Sequence, residues 1–293
     1  MDSEIIENYK KAGKIAREAL EFGKGLIKKD AKVLDVCNKV EGKIFSLGAK
    51  PAFPAQISMN SIAAHFCPED DDELKFEYQL VSLDVGAHVD GFVGDNACSV
   101  DLSGSNSELV KASEEGLKAA IEKVKVGVKL SEIGKAIEDA ITSFGFKPVR
   151  NLSGHGLDSY NIHSLPTIPN FNSKENKVLE KGVIAIEPFA TNGVGLIHEK
   201  GDASVFSLIG KKSVRIGFVR NIQKEIEKLN GLPFTTRWLT KKFSSAQVKF
   251  ALNQFKQLEI LKEYPPLVEK QDGLVSQAEH SLLVDDVVVV LTE

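Results

Sequence analysis

Apolar residues recur at three- and four-residue spacing in two stretches that also resemble each other. Segment 32–51, KVLDVCNKVEGKIFSLGAKP, aligns without a gap with segment 129–148, KLSEIGKAIEDAITSFGFKP, at an offset of 97. Val40 matches Ile137, Glu41 matches Glu138, Ile44 matches Ile141, Gly48 matches Gly145, and Lys50-Pro51 matches Lys147-Pro148. The spacing predicts an amphipathic helix in each copy, closed by Gly and then Pro. A further helix is predicted ahead of each copy, around 4–28 and 106–124. A duplication of this period predicts two halves of like topology about a pseudo-two-fold axis. Chance likeness of two amphipathic helices is the alternative, and the shared Gly-x-Lys-Pro ending weighs against it.

Alternating and continuous apolar runs predict strands at Leu80–Ala87, Phe92–Leu102, Gly182–Ile186, Ala278–Val284 and Val287–Leu291. Helical spacing returns between about 206 and 262, in RIGFVRNIQKEIEKLNG and SSAQVKFALNQFKQLEIL. The expectation is one α+β domain over 1–293 with antiparallel sheet, and a helical insertion at 206–262 inside the second half.

The run LVSLDVGAHVDGFVGDNACSVDL, residues 80–102, is the most informative. Asp90-Gly91 between two strand-like segments is a two-residue hairpin signal. Such a turn places Asp84 opposite Ala97 and Gly86 opposite Asp95. The two aspartates then share one face as diagonal neighbours, roughly 7–8 Å apart at the backbone. Like charges on one face are unfavourable unless the face is wet or a cation is shared. Leu83, Val85, Val93 and Ala97 give the hairpin little hydrophilic character, which favours the cation.

Three more groups stand in comparable settings. His155 lies between glycines in Asn151-Leu-Ser-Gly-His-Gly, Glu187 ends an apolar run before Pro188, and Glu279 opens another run. Singly, each reads as a loop histidine or as an acid marking a strand end. Buried together with Asp84 and Asp95, the four carboxylates need two divalent cations for neutrality. Oxygen-rich ligation with one imidazole suits Co, Mn, Fe or Zn.

Composition narrows the remaining classes. The chain has 293 residues, 42% of them hydrophobic, enough for a substantial core. A net charge of −4 argues against an electrostatic nucleic-acid surface. The acidic run Glu69–Glu73 reads as a solvated loop. Cys37, Cys67 and Cys98 show no zinc spacing and read as free thiols of a reducing compartment. The opening Met1–Lys11 reads as the start of an amphipathic helix and not as a signal peptide. No apolar run approaches the ~20 residues that span a bilayer. A cytoplasmic protein with no membrane partner is expected.

The order Asp-(x10)-Asp, His, Glu, Glu at Asp84, Asp95, His155, Glu187 and Glu279 resembles the metal-binding signature of methionine aminopeptidases and their pita-bread (creatinase/aminopeptidase) relatives, along the whole chain. Ser58-Met-Asn-Ser-Ile-Ala-Ala-His65, His163, the long interval from Glu187 to Glu279, Arg237-Trp238-Leu239 and Tyr264-Pro-Pro-Leu267 resemble the type 2 branch. The absence of an N-terminal zinc module or polybasic extension suits the compact archaeal-like form. The resemblance implies two divalent ions held by those five ligands, with Asp95 and Glu279 bridging. It also implies His65 and His163 as hydrogen-bond donors to the substrate and Glu187 as proton shuttle. Phe53, His65, Ile162, His163, Phe189, Tyr264 and Leu267 are implied as the substrate pocket. The implied activity is excision of the initiator methionine from Met-Xaa peptides of nascent proteins when the second residue is small. Ribosome docking is compatible with that activity, and a monomer is the family's default. A proline-specific peptidase of the same fold is the first rival, although such enzymes carry an added N-terminal domain. A non-catalytic RNA- or protein-binding factor of the fold is the second, although such factors lose ligands.

Overall fold

Two helix pairs open the two halves. A computed structural model describes residues 2–293 and gives α1 (Ser3–Leu26) and α2 (Val33–Ser46), then α3 (Ser107–Ile121) and α4 (Leu130–Ser143). Asp2 caps α1, its carboxylate accepting from the Glu4 N–H at 3.0 Å. The helices α2 and α4 have no side-chain cap. Their first free N–H groups instead bond distant backbone: Val33 donates to Leu74 at 3.0 Å, and Leu130 to Lys177 at 2.9 Å. Each ends at a glycine with φ of +82°, Gly48 and Gly145, a left-handed conformation that a side chain disfavours. Each then enters a two-residue strand, Lys50–Pro51 or Lys147–Pro148.

These strands fix the equivalence of the halves. Pro51 pairs with Ala87, and Pro148 pairs with Ala190. The N–H of Ala52 reaches the Gly86 carbonyl at 2.9 Å, and that of Val149 reaches the Phe189 carbonyl at 2.9 Å. The duplication read from residues 32–51 and 129–148 is therefore present in space, carried on into the sheets. All strand pairings are antiparallel. Leu80–Val89 is central to a four-stranded sheet with Lys50–Pro51, Gln56–Met59 and Phe92–Asp101. The second half builds a five-stranded sheet ordered 288–290, 280–284, 182–186, 153–158, 161–169 and a small one ordered 275–277, 189–191, 147–148.

Helix α1 lies directly on the hairpin. A Cβ on Gly94 would come 2.4 Å from the Gly13 nitrogen, so strand and helix backbones touch where both residues lack side chains. Ala16, Ala19, Leu20, Val40, Ile44, Leu83 and Val85 form the first core, and Leu109, Leu117, Ile133, Ile137, Ile141, Ile184 and Leu282 form its counterpart. Burial of these apolar faces is the main stabilising term.

Segment 206–262 is more than helix. Strand Val205–Leu208 pairs with both Leu261–Tyr264 and Phe234–Thr235, making a sheet stem for α5 (Gly217–Glu227), α6 (Thr236–Thr240) and α7 (Ser245–Gln257). The helical periodicity was visible; the two- to four-residue strands were too short to show an alternation. Two further readings change. The acidic run is not simply solvated: Glu69 is half-buried and takes the Thr236 hydroxyl, and Asp70 takes that of Thr240, so the run docks the insertion. His155 is no loop residue but lies in strand Ser153–Asp158, flanked on both sides. The three cysteines are free.

Candidate metal centre

Asp90 and Gly91 have φ of +50° and +91°, as the two-residue turn requires, and Asp84 faces Ala97 while Gly86 faces Asp95. The equivalence of Ala87 with Ala190 makes Asp84 the counterpart of Glu187, each three residues earlier. The strand ends meet at a seam: Ala97 and Glu279 exchange backbone hydrogen bonds of 3.5 and 3.0 Å, an isolated antiparallel bridge between the halves.

One ligand atom from each of Asp95, His155 and Glu279 lies within 4.8 Å of the others, and all three residues are buried. Glu187 joins them through its Oε1, 3.5 Å from His155 Nε2. Asn170 holds this end of the strand in place, donating to the carbonyls of Glu187 and Leu152 at 3.1 and 3.2 Å. Asp84 completes the group on the same cleft. Its Oδ2 receives the Gln277 amide at 3.4 Å.

The donor set fits divalent cations. Asp84 Oδ1 and Asp95 Oδ1 are buried without a hydrogen-bond partner among the described residues, which is costly unless a cation takes them. Burial pushes the Asp84 carboxyl up to about 7. Burial, then repulsion among the carboxylates, lifts Asp95, Glu187 and Glu279 well above the usual range. Four such acids ionise together only with compensating positive charge. Burial holds His155 neutral, down to about 3. Its Nδ1 faces the Gly156 carbonyl at 3.3 Å; a carbonyl only accepts, so Nδ1 carries the proton and the Nε2 lone pair is free to ligate.

The surrounding cleft has a volume of about 560 Å³, and Phe53, His65, Ile162, His163, Phe189, Tyr264 and Leu267 all line it together with the four acids and the His155 imidazole. Phe189 is fully buried, and Phe53 and Ile162 are 6% exposed. His163 stacks edge-on to His155 at 4.7 Å between centroids and keeps solvent access on its far side. Burial within the cleft and then the Lys262 charge bring it down to about 4.

His65 sits in the left-handed region at φ +68°, a strained conformation for a non-glycine residue. Gln56 stabilises it, its side-chain oxygen accepting the His65 N–H at 2.7 Å. The His65 Nδ1 faces the Pro265 carbonyl at 3.3 Å and so carries the proton, while burial lowers the ring to about 4. Its Nε2 is then an acceptor at neutral pH. The donor role implied for His65 does not fit this tautomer.

Sequence reasoning did not find Gln56, Asn151, His198, Glu199 or Lys262, which also line the cleft. Asn151 ties residue 197 to the cleft floor by hydrogen bonds of 2.8 and 2.9 Å. Its position four residues before His155 was the one available hint.

Residues 7–218 match metallopeptidase family M24. The chain belongs to metallopeptidase family M24. The M24 chain is 50% identical to a methionine aminopeptidase of Archaeoglobus fulgidus, over 98% of this chain and 97% of that one. It is 40% identical to a methionine aminopeptidase of Methanocaldococcus jannaschii, over 96% and 97%. A crystal structure of methionine aminopeptidase from Thermotoga maritima shares the M24 fold with a TM-score of 0.72 over 100% of this chain and 98% of that one, at 24% identity.

Proposed function

We infer that this chain is a metal-dependent aminopeptidase that removes the N-terminal methionine of proteins. The observation that carries the reading is the convergence of Asp95, His155 and Glu279 beside Glu187 and Asp84 on one cleft, with two carboxylate oxygens lacking a hydrogen-bond partner among the described residues. Relatives of the same length that bear that activity support it. We assign Asp84, Asp95, His155, Glu187 and Glu279 as ligands of two divalent ions, of Co, Mn, Fe or Zn. Divalent cations bound there supply Lewis-acid chemistry, polarising a carbonyl and acidifying water.

The protein's own groups supply the rest. Phe53, Ile162, Phe189 and Leu267 offer an apolar pocket to a thioether side chain. Glu187 takes a proton from the attacking water and returns it to the nitrogen that leaves when the C–N bond breaks. His163, whose ring makes no hydrogen bond among the described residues, donates to the scissile carbonyl oxygen as charge develops on it. His65 accepts the N–H of the scissile amide at Nε2, the role its tautomer supports. Tyr264, packed edge-on against His65 at 5.5 Å, limits the space beside the bond and so favours a small second residue. The insertion at 206–262 is a subdomain of one catalytic domain. New polypeptides carry the initiator methionine where they are made, so we place the enzyme in the cytoplasm, acting as a monomer on nascent chains; co-sedimentation with ribosomes tests docking there.

The test is a Met-Xaa peptide panel beside Xaa-Pro peptides, with chelator and with added divalent ions. The reading expects release of methionine from Met-Ala-Ser, abolished by chelator and restored by metal. Metal-dependent cleavage confined to Xaa-Pro peptides would sink it.

A further inference from the structure

The seam between the halves contains two serines that do the same thing on opposite sides of it. In an antiparallel pair centred on the Ala97–Glu279 bridge, Asp95 lies opposite Ser281 and Ser99 opposite Gln277. Neither outer pair closes a backbone ladder. The Ser281 hydroxyl instead accepts the Asp95 N–H at 2.8 Å and donates to the Asp95 carbonyl at 2.7 Å. The Ser99 hydroxyl accepts the Gln277 N–H at 2.8 Å and donates to the Gln277 carbonyl at 2.8 Å. Each hydroxyl thus replaces a whole residue's ladder partners, and the strands stand apart by one side chain.

Ser281 is free to do this because its own backbone is bonded elsewhere. Its carbonyl accepts from Leu291 at 2.8 Å and its N–H donates to the Thr292 hydroxyl at 3.1 Å. Ser281 is fully buried, and Asp95 is 3% exposed. Without the hydroxyl, two buried backbone groups of Asp95 lose their partners.

We propose that Ser281 is a positioning residue for the metal centre: its hydroxyl clamps the backbone of Asp95 and thereby fixes a carboxylate that would hold the cations. The proposal rests on the ligand assignment above. The pseudo-symmetry makes the reasoning specific, because the equivalent clamp at Ser99 holds Gln277, which is no ligand and only reaches Asp84 through a long amide contact of 3.4 Å. Both clamps serve the fold alike; only one acts on a ligand. Groups that orient a metal ligand commonly govern metal affinity by about 10–100-fold.

The test compares Ser281→Ala, Ser281→Thr and Ser99→Ala with the wild-type chain by titration calorimetry of metal-stripped protein with Mn(II), alongside melting of the metal-free forms. Both alanine variants are expected to melt lower by similar amounts. Ser281→Ala is expected to lose about tenfold or more in Mn(II) affinity, Ser99→Ala clearly less, and Ser281→Thr, which keeps the hydroxyl, to recover most of the loss. If Ser281→Ala fails to fold, Ser281→Cys takes its place, since a thiol of similar size is a weak hydrogen-bonding group. Affinity of the Ser281 variant within threefold of wild type, or an equal loss in Ser99→Ala, overturns the clamp. A wild-type chain that takes up no Mn(II) overturns the ligand assignment, and the clamp with it.

Discussion

Asp84 and Glu187 are the same position of a duplicated unit, one in each half, and both line a single cleft. Their partners diverged: Asp95 has Gln277 as counterpart, and Glu279 has Ala97. The centre is assembled from two unlike contributions to one repeated frame. Removing a buried member of this set removes charge and geometry together. Asp95→Ala and His155→Ala are each expected to abolish Met-Ala-Ser cleavage, by at least about 10³-fold for groups of this kind. Methionine release and bound-metal analysis on the same samples check this; wild-type-like turnover by either variant refutes its assignment as ligand.

The metal-free protein should carry its own pH signature. Asp84 is raised to about 7, and Asp95, Glu187 and Glu279 stand well above the ordinary carboxylate range. Raised acids bind more protons in the folded state, so their contribution is complete below the unfolded value of about 4 and is lost as pH rises through the folded values. The neutral histidines act oppositely, but only below about pH 6.5. Melting of chelated protein should therefore fall from pH 6.5 to 8.5, and added divalent metal should flatten the slope. A pH-independent melting point in chelator contradicts the burial of these acids.

His65 should separate binding from turnover. His65→Ala is expected to retain wild-type metal content while kcat drops about 10²-fold, the scale of lost substrate positioning. Metal loss equal to the rate loss would place His65 among the ligands.

The Arg237–Glu41 ion pair accounts for the Arg-Trp-Leu motif of the insertion. Both terminal guanidinium nitrogens of Arg237 meet the Glu41 carboxylate, which also accepts from the Trp238 indole at 2.8 Å and the Ala55 N–H at 3.1 Å. Arg237 is 1% and Glu41 3% exposed. Glu41→Ala should destabilise by about 3–5 kcal/mol, because it strands a buried guanidinium. Urea melts of the single and double variants check this, and a double variant no less stable than Glu41→Ala is expected.

Glu269 is another buried acid, with a pH sign opposite to that of the four metal-site acids. Burial pushes it up, but backbone N–H groups of Gln271, Gly273, Val194 and Gly195 outweigh that and lower it. A lowered carboxylate stabilises above its unfolded value of about 4.3, and that share disappears as pH falls through the folded value. Glu269→Gln should lose about 1–3 kcal/mol at pH 7 and show a shallower decline in stability below pH 5. An unchanged acid profile counts against the cage.

Much of this was legible because it is local. The hairpin register followed from Asp90-Gly91, and the duplication from an ungapped match whose glycines take identical left-handed conformations. The cluster of acids was legible because buried acids in apolar runs conflict with their surroundings unless something compensates. The missed features are long-range. Strand Asn161–Pro169 has a register irregularity against His155–Gly156 that disrupts any alternation. The tautomer of His65 depends on Pro265, 200 residues away. The serines at 99 and 281 look like any strand serine until the seam opposes them to Gln277 and Asp95.

The exposed Gly104–Ser105 bond, just past the first hairpin, divides the five proposed ligands two and three. Chain severed there would yield a fragment with Asp84 and Asp95 and another with His155, Glu187 and Glu279, neither able to complete the set. Peptidase activity in a mixture of the pieces would then rise with the product of their concentrations, turning methionine release into a reporter of whether two polypeptides have met.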